Sequence, residues 1–112
     1  MSDIRLKTVL ESDCNNVCVE VVANAPVIKF LWKKGYGDKK QHIGSIAQYW
    51  QKYLPLAVEE ENGGYFSMQY GVIALLASIA TAKKVVDHEK RISDLEKENE
   101  ILKEQVEQLK AA

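Results

Sequence analysis

Ser2, Asp3, Arg5 and Lys7 stand close together in the run Ser2-Asp3-Ile4-Arg5-Leu6-Lys7 of a 112-residue chain. A serine hydroxyl becomes a useful nucleophile once a base takes its proton. Lysine serves as that base only when neutral, so burial or a nearby cation must lower its ordinary pKa of about 10.4. On one continuous helix, residues five apart point about 140° from each other. A Ser2–Lys7 dyad therefore requires Ser2 in a turn or extended segment, with any helix beginning near Ile4. Arg5 could supply the neighbouring positive charge or bind a carboxylate of an adjacent subunit, and Asp3 could fix the turn. The plainer alternative makes Ser2 a helix N-cap with charges in the first turn, and Lys7 a surface lysine.

Other reactive residue types are sparse. Histidine as a residue type can carry protons near neutrality, so His42 could aid proton transfer, or could be a hairpin residue bonded to backbone, the reading favoured here. Cys14 and Cys18 have C-x3-C spacing, which is not that of a zinc knuckle or redox pair, and no second ligand pair follows. They read as two small buried or half-buried residues in a reducing compartment, one turn apart if the segment is helical. No metal site or cofactor is expected. Trp32, Trp50 and Tyr70 read as core residues rather than a ligand platform.

The elements that must position these residues follow from spacing. Val17, Val21 and Val22 share a helical face in a short segment that Ser12 or Asp13 could cap and Pro26 would stop. Ile28, Phe30 and Trp32 alternate with other residues, predicting a strand over 27–33. The glycines of KKGYGDKK predict a turn, and His42 and Ile43 a returning strand. Ser45 and Gln48 match a capping box. Behind them Ile46, Tyr49, Trp50, Tyr53 and Leu54 form one apolar helix face, ended by Pro55. Asn62-Gly63-Gly64 predicts a turn, followed by a strand over 65–70 with Phe66, Met68 and Tyr70 on one side.

From Val72 to about Leu109 neither glycine nor proline occurs, which predicts one long helix. Its first half, VIALLASIATAKKVV, is apolar nearly all round and should be buried in a globular body or between subunits. In its second half Ile92, Leu95, Asn99, Leu102, Val106 and Leu109 are spaced 3-4-3-4-3, an a/d coiled-coil seam. With Ile92 at a, the g-to-e pairs Arg91–Glu96 and Glu98–Lys103 have opposite signs, as parallel self-association requires. β-Branched a positions with leucine at d, together with Asn99, lean towards two strands by peptide rules. The expected fold is α+β, mainly α. A small body with a β-hairpin and short helices, residues 1–86, precedes the coiled-coil part of one long C-terminal helix, residues 87–112.

Composition excludes several partners. Hydrophobic residues make up 46% and charged residues 28% of the chain, and the net charge is −1, which offers nothing to nucleic acid. Residues 87–110 hold eight acidic side chains against five basic ones, which would repel phosphate. Charges at Asp3, Arg5 and Lys7 interrupt any signal peptide, and the apolar run Val72–Ala82 is short of the roughly 20 residues a membrane span needs. A soluble protein, or a detached piece of one, is expected, with no membrane partner.

The run S-D-I-R-L-K at 2–7 is joined by F-L-W at 30–32, H-I-G-S-I-A-Q at 42–48, L-P at 54–55 and G-Y-F-S-M-Q-Y at 64–70, and then by the heptad helix. In that order and spacing, over residues 2 to about 100, the chain resembles the endosialidase-type C-terminal intramolecular chaperone domain. That is a self-cleaving Ser-Lys peptidase module that ends trimeric phage tailspikes, tail fibres and neck appendages, with a relative in membrane-tethered transcription factors of the myelin regulatory factor type. The resemblance implies cleavage of the Met1–Ser2 bond, with Ser2 as nucleophile and Lys7 as general base. It implies a homotrimer whose partner is the upstream fibre or tailspike domain of the same polypeptide. The setting is the host cytoplasm during virion assembly, with release of the module from the mature virion protein. Met1 then stands where the fibre's last residue would be, and the chain resembles the released product. The apolar helix and the body would set the subunit number at three, with Asn99 as a polar layer fixing register. A non-catalytic coiled-coil oligomerisation or adaptor protein is the alternative.

Overall fold

The structure, a computed structural model, describes residues 2–13, 15 and 17–112. Met1 and Cys14 therefore lie outside the described residues. The elements are a 3-10 turn (Ile4–Leu6), α1 (Val19–Ala23), β1 (Ile28–Leu31), β2 (Gln41–Gly44), α2 (Ala47–Tyr53), a 3-10 turn (Pro55–Ala57), β3 (Val58–Glu60), β4 (Phe66–Met68) and α3 (Tyr70–Ala111). The strands form two separate antiparallel hairpins, β1–β2 and β3–β4.

The expected helix after Ser12 and Asp13 is displaced and shortened. Asp13 has φ 55°, in the left-handed region, and neither it nor Ser12 caps anything. Asn15 instead accepts from the Val17 amide at 3.0 Å and donates to the Leu76 carbonyl at 3.1 Å. Asparagine offers the backbone an alternative to helix, and β-branched valines resist helix, so α1 begins only at Val19 with Cys18 at its N-cap. Val17 stays outside the helix and is buried.

The first hairpin follows the alternating pattern, with Phe30 opposite His42 and Ile28 opposite Gly44. It is shorter than 27–33 because the turn already begins after Leu31. Ser45 does not form the expected capping box. Ile46 occupies the N-cap of α2 without a side-chain bond. The Ser45 hydroxyl donates to the Pro26 carbonyl at 2.7 Å and accepts from the Trp50 indole N–H at 2.9 Å. One oxygen thus ties the segment before β1 to the core tryptophan of α2.

Leu54 ends α2 and Pro55 opens the next turn, as a residue before proline should. Gly63 and Gly64, both at positive φ, reverse the chain between β3 and β4. The strand expected over 65–70 is confined to Phe66–Met68, and Tyr70 instead opens α3. Its partner β3 was hidden behind the polar run Glu59-Glu60-Glu61.

The core consists of Val17, Trp50, Leu54, Ala57 and Ile73, with Val21, Val22, Tyr49, Val58, Met68 and Leu76 against it. α3 is 42 residues long, about 63 Å at 1.5 Å per residue. The radius of gyration is 23.0 Å, against about 13 Å for a compact chain of this size, so the helix projects far beyond the body. No helix among the described residues is long and apolar enough to cross a membrane. The apolar first half of α3 buries one face on the body through Ile73 and Leu76. An adjoining flank, including Leu75 at 59% and Ile79 at 38% exposure, stays open.

Ser45→Ala strands the Trp50 N–H in a part-buried site. At fixed protein concentration it should lower stability by about 1–3 kcal/mol, read as a lower urea midpoint with unchanged slope. An unchanged midpoint would show that the hydroxyl contributes nothing.

Candidate functional site

The segment before Asp13 forms an arm, and its chemistry begins with Asp3. The Asp3 carboxylate accepts from the Arg5 amide at 2.9 Å, capping the 3-10 turn. It also takes a two-pronged bond from the Arg5 guanidinium, at 3.1 Å from Nε and 2.6 Å from a terminal nitrogen. The Leu6 amide donates to the Asp3 carbonyl and the Lys7 amide to the Ile4 carbonyl, each at 3.1 Å. Aspartate at an N-cap and a bidentate arginine pair are both strong local devices, so the turn forms without help from the body. Ser2 lies just ahead of it. Lys7 closes it in extended conformation.

The turn therefore begins at Ile4, where a Ser2–Lys7 dyad requires any helix to begin. Ser2 and Lys7 are both exposed in the single chain, and no hydrogen bond joins these two described residues. A lysine base needs desolvation, which this chain alone does not supply to Lys7. The Arg5 guanidinium beside Asp3 holds the carboxyl below its ordinary value, with the Arg5 backbone amide adding to the effect. Asp3 in turn raises Arg5. In the single chain the Arg5 guanidinium bonds its own chain's Asp3.

His42 lies on β2, away from the arm. Its Nε2 is 2.7 Å from the Asp38 carboxylate, so its partner is a side chain and not the backbone expected. Asp38 also accepts from the Lys40 amide at 2.9 Å. Bonding to His42 chiefly, and to that amide, holds Asp38 below its ordinary range. The imidazole stacks on Phe30 at 5.6 Å and 27°. Asp38 is the His42 partner that sequence reasoning passed over. Its signal was the Asp-x-x-x-His spacing in a tight turn.

A groove of about 650 Å³ opens between the hairpins, lined by Phe30, Trp32, His42, Phe66 and Tyr70 among others. Trp50 is core, 4% exposed, but Trp32 at 48% and Tyr70 at 54% are not. Trp32 falls beyond the end of β1. Tyr70 is held at the groove by accepting from the Ser45 amide at 3.2 Å. Cys18 is exposed. Ile92, Leu95, Leu102, Val106 and Leu109 of the coiled-coil seam are also exposed, and Asn99 lies among them in shallow clefts along α3.

The chain belongs to the Peptidase_S74 family, the chaperone of endosialidase, whose family model matches residues 2–59. The match begins at Ser2, takes in the arm, α1, the first hairpin and α2, and stops within β3. The 64–70 motif and the heptads lie beyond it. No curated protein matches the chain. Membership carries a chaperone role and, at the level of the family, peptidase-type self-cleaving activity.

The Asp3–Arg5 turn has a defined pH response. Asp3 is lowered on folding, so the stability it adds is complete above its ordinary value of 3.8 and is lost as pH falls through the lowered folded value. Arg5 is exposed and Asp3 only half-buried, so the effect is local and weakened by salt. The Arg5 amide and Nε–H NMR shifts should hold steady at neutral pH and move together below pH 3.8. Movement centred above that value would contradict the pair.

Proposed function

We propose that this chain is an intramolecular chaperone that assembles as a parallel homotrimer and registers an upstream β-structured fibre or tailspike of the same polypeptide. It is then released by cutting just before Ser2. The observation that carries this reading is that the family match begins at Ser2 and includes Lys7.

In this mechanism Lys7, neutral once covered, takes the proton of the Ser2 hydroxyl. Ser2 Oγ attacks the carbonyl carbon of the preceding residue. The C–N bond to Ser2 breaks, the freed amine takes the proton from Lys7, and the upstream chain is left as an ester on Oγ. Water hydrolyses that ester, releasing an upstream carboxylate and restoring Ser2. Asp3 and Arg5 hold the turn between the two groups.

The physical use of such a module follows from folding rates. Intertwined β-fibres depend on non-local contacts, nucleate slowly and aggregate while unfinished. A coiled coil zips from local contacts far faster, and joining three chain ends raises their effective concentration to about the millimolar range. Residues 1–86 act as the body and 87–112 as the clamp, with Ile92, Leu95, Asn99, Leu102, Val106 and Leu109 in the seam. After release, slow unfolding preserves the fibre. Assembly takes place in the host cytoplasm.

The exposure of Ser2 and Lys7 in the single chain supports a second reading, a coiled-coil oligomerisation or adaptor protein with no catalysis. Mass spectrometry of the domain fused to its upstream segment separates the two. The first expects a cut before Ser2, and at least about 100-fold slower cutting in Ser2→Ala and Lys7→Ala, with the assembly intact. A bundled, uncut parent protein would support the second.

A further inference from the structure

The single chain exposes 9758 Å², whereas a compact 12.7 kDa protein exposes about 6,200 Å². The excess of roughly 3,500 Å² is of the size that obligate assemblies bury. Its most apolar part on α3 is the stripe Val72, Leu75, Ile79, Ala82 and Val86, spaced 3-4-3-4.

This stripe is not a continuation of the lower seam. Stepping back from Ile92 in sevens gives Val85, Ser78 and Gly71 at a, with His88, Thr81 and Ala74 at d. The stripe falls at b and e, on one flank of the helix. The body occupies another face, through Ile73, Leu76 and Ala80 at c and f. The root of the arm lies beside that face. Asp13 and Asn15 line a cleft with Ala80, Lys83, Lys84 and Asp87, positions c, f and g, and Asn15 bonds the Leu76 carbonyl. In a parallel bundle the g flank of one helix meets the e flank of the next. The arm root of each copy therefore faces its neighbour's stripe, not its own.

The arm is the matching surface. Ile4, Leu6, Val9 and Leu10 are all exposed, Leu10 at 94%, and within one chain arm and stripe do not cover each other. We infer that the arm of each copy packs across the Val72–Leu75–Ile79 stripe of the neighbouring copy, which becomes the positioning surface for that copy's Ser2 and Lys7. The inference rests on the parallel assembly and cleavage proposed above. Cutting in one chain then depends on a helix in another, and Lys7 is desolvated only after chains have joined.

The test mixes full-length, separately tagged precursors. Leu75→Asp alone should be cut at least about 10-fold more slowly than the parent. Co-assembled in equal amounts with Ser2→Ala, which keeps an intact stripe but has no nucleophile, about half of the Leu75→Asp chains should be cut, because each arm meets one neighbour's stripe in a cyclic trimer and random mixing makes that neighbour Ser2→Ala about half of the time. Leu10→Asp, damaged in the arm that carries its own nucleophile, should not be rescued by the same partner. Native mass spectrometry counts the mixed trimers, and Leu75→Ala replaces the charged variant should that one stay out of them. Absence of rescue in proven mixed trimers, or parental cutting by Leu75→Asp alone, overturns the inference while the parent's own cleavage leaves the proposed function standing. An uncut parent removes both.

Discussion

Val17, Trp50, Leu54, Ala57 and Ile73 are the buried apolar side chains among the described residues, and everything around them is arranged by the apolar surface they fail to absorb. Burial stabilises at about 25 cal/mol per Å², so five buried side chains cannot order a chain of this length. The two hairpins make the same point. Isolated two-stranded sheets are marginal in water, and here each has a face or an edge still open. The exposed half-seams of α3 are the largest remaining reserve of unburied apolar surface. In the proposed trimer, a partner chain is the condition under which that surface is covered.

That condition reaches the chemistry through the arm. The Asp3–Arg5 pair builds a turn from contacts within three residues, so the geometry around Ser2 is set locally and early. What the turn does not provide is cover for Lys7, which a lysine base requires. In the proposed mechanism, local order without burial leaves the turn formed while Lys7 still lacks the environment of a base. An assembly chaperone gains from such a site. On that proposal, premature cutting would detach the clamp before the upstream chains were in register, and a Ser2 without a working base until chains meet would avoid that order of events.

Much of this architecture was legible in the sequence because its signals are local. Alternation at Ile28 and Phe30 and the paired glycines Gly35 and Gly37 mark the first hairpin, Pro55 ends α2, and the absence of Gly and Pro after Val72 marks α3. Missed features depend on partners far along the chain. Ser45 looked like a cap because Gln48 stands three residues on. Its real partners, Pro26 and Trp50, are chosen by tertiary packing. β3 was invisible because a strand with one solvated face tolerates consecutive glutamates. Trp32 and Tyr70 read as core by type, yet line a groove. At the site, a turn beginning near Ile4 is the condition that a Ser2–Lys7 dyad would set, whereas the Asp38–His42 pair needed the hairpin's geometry.

Sedimentation equilibrium of the isolated chain, followed together with helical circular dichroism across a dilution series, tests the dependence of fold on assembly. The expected result is a mass of three chains wherever α3 is helical, with mass and helicity falling together on dilution. A folded, fully helical 12.7 kDa monomer at every concentration would contradict it.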